Sequence, residues 1–416
     1  MSMLTRRSLS AAGLFVALLP GLCPAARAAA HAAPSYETLL ERLDQLPGTR
    51  VGAALAAAAE ARAEQARALP NPALSWTTEN AWGSGTYTGL AKADRVLTLS
   101  QPLEIGGQRS TRIRAARAEA QAAALRGELS RTEVAARLAA AYADAETALR
   151  RHGLAAEALA LTRDDAAAIA ALVDQGREPR LRAVQARSDV ATATAALDQA
   201  QADREAALAR LASIASLDAP VDALDGSLLD RAPLARDTGP ADPAVRVAEA
   251  EADAAGRRVE VERKRALPDV SLTVARTRFG EAREQAHTLG LTVSVPLFDR
   301  NRGGIAAARA EQRAAEARLD QQRRDSEAER LSALAGLKAA GSRTRAADES
   351  VLAAMEAHRL ARVGFDAGRI SQVELRSALA ALITARSTAV DARLARVAAE
   401  IDLARIEGRA PFLEAR

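Results

Sequence analysis

Thr288-Leu289-Gly290-Leu291-Thr292-Val293-Ser294-Val295-Pro296-Leu297-Phe298-Asp299-Arg300-Asn301-Arg302-Gly303 changes its period halfway along. Leu289, Leu291, Val293 and Val295 alternate with Thr288, Gly290, Thr292 and Ser294, the pattern of a strand with one apolar and one small polar face. From Gly303 to Asp366 no proline occurs and the pattern turns helical. At ~1.5 Å per residue that run reaches roughly 95 Å. A strand that feeds directly into a very long helix is the unit that decides the fold.

The unit occurs twice. A proline-free run from Gly107 to Asp174 precedes the one just described. Arg67-Ala68-Leu69-Pro70 returns as Arg265-Ala266-Leu267-Pro268, Gln101-Pro102-Leu103 as Val295-Pro296-Leu297, and Gln175-Gly176-Arg177 as Ala367-Gly368-Arg369, each about 195 residues later. A near-constant displacement of three unlike motifs marks a duplication. The unit is far longer than a solenoid repeat, so each copy is a structural half.

Each long run ends at a Gly-Arg turn, Gly176-Arg177 or Gly368-Arg369, and reverses into a second helical pattern. Leu379, Ile383, Val390, Leu394, Val397 and Ile401 follow coiled-coil steps. The first returning helix, from Pro179 to about Ile214, is shorter than the run it folds back on, and Pro220, Asp225-Gly226, Pro233 and Gly239-Pro240 break the chain after it. A further helix then leads into the second copy, so that two short helices laid end to end match one long helix.

Leu74 and Trp76 alternate with Ser75 and Thr77, and Val270, Leu272 and Val274 with Ser271 and Thr273; Val96 to Gln101 is the least regular strand. Polar loops, Trp82 to Asp94 and Phe279 to Gln285, join the strands of each pair. The expected organisation is a signal at 1–30, a first repeat at 31–240 and a second at 241–416. The first holds N-terminal helices, a β-hairpin at about 72–101, a helical hairpin at about 107–214 and a linker at 215–240. The second holds a helix at 243–267, a β-hairpin at about 269–296, a helical hairpin at about 303–408 and a C-terminal tail.

Arg6 and Arg7 followed by the apolar run Leu9 to Leu22 and by Ala26, Ala28 and Ala30 have the layout of a cleavable export signal. The run is shorter than the ~20 residues a spanning helix needs. Both ordinary and twin-arginine export fit, and Cys23, preceded by Leu22, leaves lipidation as the lesser alternative. Cys23 is the only cysteine, so cleavage after Ala28 or Ala30 leaves a mature chain without disulfides, thiolate metal sites or a cysteine nucleophile.

Hydrophobic residues make up 49%, alanine chief among them, yet aromatics only 2%, which suits close-packed long helices rather than a compact core. A net charge of +4 against 57 basic and 53 acidic residues, interleaved along helical faces, gives no reason to expect nucleic acid. There is no phosphate-binding loop and no H-E-x-x-H motif, so no cofactor, metal site or catalytic residue is expected. His31, His152, His287 and His358 are scattered without ligand spacing.

The strand pairs fit half-buried strands of a soluble α+β domain, but three features favour a bilayer. The chain carries an export signal, the strands approach the ~9–11 residues that cross a membrane when tilted, and Trp76, Trp82, Tyr87 and Phe279 place scarce aromatics where a membrane interface would use them. Four strands cannot close a barrel alone, so spanning requires several chains to share one.

At this point the sequence resembles the TolC-like outer-membrane efflux proteins over nearly the whole mature chain. The carrying segments are Ala68-Leu69-Pro70-Asn71-Pro72, Ser100-Gln101-Pro102-Leu103-Glu104-Ile105-Gly106-Gly107 and Val295-Pro296-Leu297-Phe298-Asp299-Arg300-Asn301-Arg302-Gly303. The Glu-Ile-Gly-Gly-Gln-Arg and Pro-Leu-Phe-Asp-Arg-Asn-Arg-Gly versions look most like the branch serving cobalt, zinc and cadmium exporters. The resemblance implies a mainly α protein with a membrane β-barrel part, a homotrimer whose twelve shared strands continue into a helical tunnel through the periplasm. It implies outer-membrane lipid around the barrel, a periplasmic adaptor at the tips and an inner-membrane resistance-nodulation-division pump as the energy source. Gly364, Gly368 and Arg369 resemble the adaptor-docking tip, with Gly176 and Arg177 equivalent in the first turn; the plain alternative is that the glycines end helices. Glu374 matches an acidic constriction position whose companion is Ser377 here; the plain alternative is a solvated helix face. The competing readings of the whole chain are a periplasmic coiled-coil adaptor or scaffold without a channel, and an outer-membrane duct for organic compounds.

Overall fold

The computed structural model describes residues 32–232 and 242–412. The signal, Cys23, His31 and the Pro233 and Gly239-Pro240 breaks lie outside them. The elements run β1 (Ala32–Ala33), α1 (Tyr36–Glu41), α2 (Pro47–Gln65), β2 (Ala73–Glu79), β3 (Asp94–Leu103), α3 (Gln108–Asp174), α4 (Arg180–Ala215), β4 (Ala223–Leu224), α5 (Pro243–Arg265), β5 (Asp269–Arg278), β6 (Gln285–Ser294), α6 (Arg302–Asp366) and α7 (Gln372–Ile406). Two helices dominate, α3 with 67 residues and α6 with 65. No described helix is long and apolar enough to cross a membrane.

Each long helix changes partners along its length. Towards the tips α3 packs on α4 and α6 on α7, with α7 also against α3; towards the sheet α3 packs on α2 and α5, and α5 on α6. The layer therefore reads α4-α3-α7-α6 in one half and α2-α3-α5-α6 in the other. Alanine permits the close spacing: Ala135, Ala139, Ala143 and Ala145 of α3 are all but inaccessible. Where α2 crosses α3, a Cβ on Gly52 would lie 3.3 Å from the Gly127 Cα, so two glycines let the backbones meet.

Among the described residues the largest core sits at the waist between these halves. Tyr36, Leu39 and Leu43 pack there with Leu138 and Tyr142 of α3, Leu208 and Leu211 of α4, Leu228 and Leu229, and Val397 and Ile401 of α7. Tyr36 stacks edge-on against Tyr142 and Phe412, with ring centroids 6.1 and 6.0 Å apart. The Tyr36 hydroxyl donates to the Pro411 carbonyl at 2.8 Å and that of Tyr142 to the Asp225 carbonyl at 2.6 Å. Burial pushes both phenols well above their ordinary range, burial being the largest cause in each. β1 and β4 pair in parallel beside this core.

The remaining strands form a four-stranded antiparallel sheet in the order β2-β3-β5-β6. β3 pairs with β5, so the two hairpins join into one sheet with β2 and β6 at its edges. The least regular strand of the sequence is thus a central one, held on both sides. β2 has 7 residues and falls short of the expected length. Pro70 and Pro72 precede it and cannot donate to a ladder; the Gln101 side-chain amide instead donates to the Pro70 carbonyl at 2.9 Å.

Candidate functional site

Alternation along the strands sorts side chains by face, and the register fixes which share one. Leu74 lies opposite Leu99, Leu99 opposite Val274 and Val274 opposite Leu289; one residue along in each strand, Ser75, Thr98, Ala275 and Thr288 occupy the other face. One face is therefore apolar and solvent-accessible, with Leu74, Trp76, Leu289 and Leu291 each more than half exposed. The other carries chiefly Ser, Thr, Ala and Gly, with Val96 and Pro102 of β3 among them. An exposed apolar face backed by a small polar one is what a membrane barrel presents to lipid and to its lumen.

Charge follows the same sorting. Glu79, Asp94 and Asp269 are the charged positions on the polar face, whereas Arg95, Arg276 and Arg278 are those on the apolar face, with His287 beside Arg276. All but Asp269 gather at the end of the sheet away from the long helices. Asp94 accepts from the Asn80 side chain at 3.0 Å and from the Gly280 amide at 2.9 Å. A Cβ on Gly280 would sit 2.4 Å from the Lys92 carbonyl carbon, so the two hairpin loops touch there. Trp76 lies beside Leu97 on the apolar face, Trp82 and Tyr87 stand exposed in the loop between β2 and β3, and Phe279 follows β5. The four aromatics share this end of the sheet.

At the opposite end the family-like motifs act as clasps. Gly107 has φ +81 and starts α3 in the left-handed conformation; a Cβ on Gly106 would lie 2.9 Å from Leu267. Arg109 donates to the Arg67 carbonyl at 2.7 Å, and Arg112 to the Ala66 and Ala68 carbonyls while pairing with Glu104. These cations meet the C-terminal end of α2, where the carbonyls are unsatisfied. In the second copy Asn301, φ +52, donates to the Glu262 carbonyl at 2.9 Å and its carboxylate at 2.8 Å. Each motif thus seats a long helix on the short helix that precedes the strands.

At the tips Gly176 and Gly368 have φ +69 and +67, with Arg177 donating to Leu172 and Arg369 to Gly364 across the helix ends. Gly408 repeats the arrangement at the end of α7, far from either tip, so the glycines first of all cap helices. Gly364 also packs under Ile370, where a Cβ would approach to 3.3 Å. Arg177 and Arg369 are exposed. Glu374 is exposed too, and its carboxylate accepts from the Ser371 amide at 2.7 Å while the Ser371 hydroxyl accepts from the Glu374 amide. This capping box opens α7, a local role the sequence reading passed over although Ser371 and Glu374 have its spacing. Two residues on, Arg376 pairs with Asp189 of α4 and lies 4.0 Å from Asp165 of α3, to which Gln372 donates at 3.4 Å.

A second charged group, also unread in the sequence, binds the waist. Glu146 is 6% exposed and accepts from the Leu228 and Leu229 amides at 2.8 and 3.1 Å, from the Ser227 hydroxyl at 2.6 Å and from Arg150. Arg150 continues to Asp230, which Arg393 of α7 also reaches, and Arg393 ends on Asp348 of α6. The Arg150 hydrogen bond holds the Asp230 carboxyl below the usual range, whereas burial raises that of Glu400 despite Arg396 beside it. No cluster of potential metal ligands occurs among the described residues.

A sheet with lipid and lumen faces, seated on paired helices roughly 100 Å long, defines a membrane duct. Comparison with known proteins gives the family. The outer membrane efflux protein family matches residues 41–216 and 240–409, and the chain belongs to it. It is 40% identical over 388 residues to the nickel-cobalt-cadmium resistance protein NccC of Alcaligenes xylosoxydans xylosoxydans, covering 92% of this chain and 89% of that one. With the nickel and cobalt resistance protein CnrC of Cupriavidus metallidurans it shares 41% over 324 residues, 77% of each. Its fold is similar to that of the open state of the Neisseria gonorrhoeae MtrE outer membrane channel, with a TM-score of 0.78 at 19% identity over 91% of this chain and 89% of that one. The protein is an efflux channel of the outer membrane.

Proposed function

We propose that three copies of this chain form the exit duct of a tripartite system that expels divalent metal cations. The observation that carries the cation reading is the sorting of charge on the sheet: every charged strand position on the lumen side is acidic. Carboxylates at Glu79, Asp94 and Asp269 attract cations and lower their passage energy without a tight site. The resistance phenotypes in the relatives' names agree. The trimer reading rests on β2 and β6, each of which pairs on one side within the chain. Edges of this kind are incompatible with hydrocarbon unless another chain pairs with them.

In this reading the export signal occupies 1–30, the repeats at 31–240 and 241–416 each supply two strands and one helical hairpin, and the helices line the periplasm. Gly176, Arg177, Gly364, Gly368 and Arg369 form two kinds of tip for a periplasmic adaptor, an inner-membrane resistance-nodulation-division pump supplies the energy, and the chain has no catalytic role. Trp76, Trp82, Tyr87 and Phe279 form the outer membrane-interface belt, and Glu374 forms a ring at the periplasmic constriction. A strain lacking the chain tests the cargo: sensitivity to nickel, cobalt or cadmium is expected, and sensitivity to organic toxins alone refutes the reading. Migration of the purified protein as a monomer in mild detergent refutes the trimer.

A further inference from the structure

On the apolar face, Arg95 of β3 lies directly opposite Arg278 of β5. Arg276 lies two residues along the same face, diagonal to Arg95, with His287 opposite it. Like charges in directly opposed positions destabilise a sheet, and no carboxylate within 4.0 Å relieves these three among the described residues. Of the nearby acids, Glu79 and Asp94 are on the other face, Asp94 bound to Asn80 and Gly280; Glu281 is paired with Lys92, and Glu284 lies opposite Phe279, outside the row of Arg95 and Arg278. Arg276 uses a neutral partner, donating to the Gln285 side-chain oxygen at 2.6 Å.

The surroundings specify the missing anion. Leu97 stands opposite Arg276, one row towards the helices from Arg95 and Arg278, and Leu99, Val274 and Leu289 continue the same exposed face in the row after it. Successive rows on one face are about 7 Å apart along a strand, the separation of a headgroup from the start of its acyl chains. Where this face meets lipid, the anions held in the plane of the guanidiniums are those of the headgroups whose acyl chains cover the apolar rows.

We infer that Arg95, Arg276 and Arg278 bind the phosphate groups of anionic lipid headgroups in the outer leaflet. Guanidinium forks match phosphate oxygens two at a time, and an anion between Arg95 and Arg278 turns their repulsion into two attractions. The inference rests on the outer-membrane barrel reading, so the test measures that reading separately.

The full-length protein in detergent is titrated with a purified bisphosphorylated glycolipid and with the same lipid after enzymatic dephosphorylation. Binding is followed by native mass spectrometry and, in a Trp82→Phe background, by emission from Trp76, which shares a row with Arg276. Wild type is expected to prefer the phosphorylated lipid by about a hundredfold, each Arg→Gln change to lower that preference about fivefold, and the R95Q/R276Q/R278Q variant to abolish it. Equal binding of the two lipids by wild type overturns the inference without any variant. So does full competition by millimolar inorganic phosphate, which would make this a site for free anions. Channel conductance of wild type in planar bilayers is recorded in parallel; its absence, not the lipid result, counts against the barrel.

Discussion

Arg376 offers the sharpest perturbation of the duct. It joins the start of α7 to Asp189 of α4 and, at 4.0 Å, to Asp165 of α3, so it ties one helical hairpin to the other near the tips. The Arg376, Asp189 and Asp165 side chains are 33%, 40% and 22% exposed, which leaves much of the attraction screened by water. About 1 kcal/mol per copy is a fair discounted value for such a pair. If three hairpins swing together in the proposed trimer, Arg376→Ala shifts the balance of narrow and wide tips by about 3 kcal/mol, on the order of a hundredfold. Planar-bilayer recordings of the purified protein should show longer wide-state dwell times and larger mean conductance, with Arg376→Lys restoring part of the difference. Asp189→Ala should produce a similar change, and the double variant little more than either alone. Wild-type dwell times in Arg376→Ala, or fully additive effects of the two changes, would refute the tie.

Three further outcomes are expected. Glu374→Gln keeps an acceptor for the Ser371 amide but removes the charge, whereas Glu374→Ala removes both. A pore role therefore predicts loss of cation preference in both variants, and a purely capping role predicts about 1 kcal/mol of destabilisation in the alanine variant only, read by thermal unfolding. Glu146→Ala strands the buried Leu228 and Leu229 amides; at about 1.5 kcal/mol for each, their hydrogen exchange should accelerate on the order of a hundredfold, and unchanged protection would contradict the network. Asp230 is held below its ordinary value by Arg150, so its contribution is present above the unfolded carboxylate range and is lost as pH falls through the folded value. Acid titration of thermal stability should consequently be shallower in Asp230→Asn.

What the chain order reveals is governed by sequence distance. The strands and long helices announce themselves because periods of two and of three to four are local properties, as in Thr288 to Ser294 and its continuation into α6. The shortness of β2 was foreshadowed by Pro70 and Pro72, whose missing donors delay pairing to Ala73. The capping box at Ser371 and Glu374 was equally local. The waist could not be read this way: Tyr36, Tyr142 and Phe412 meet only after the chain has passed twice through the tips. Arg376 and Asp189 are likewise separated by 187 residues. The opposition of Arg95 and Arg278 depends on the pairing of β3 with β5, a register between repeats that no spacing within either repeat fixes.

The change of partners along α3 and α6 constrains how such a duct can vary. A heptad inserted into α3 alone would leave α4 too short to return beside it and would carry the first tip past the second, since α6 has its own length. A longer tunnel needs matched insertions in α3, α4, α6 and α7, placed on the tip side of the waist so that the clasps at Arg112 and Asn301 stay in step with α2 and α5. Reach across the periplasm is thus quantised in heptads and must be changed in both copies at once, whereas the β2–β3 and β5–β6 loops can lengthen independently without disturbing either helical hairpin.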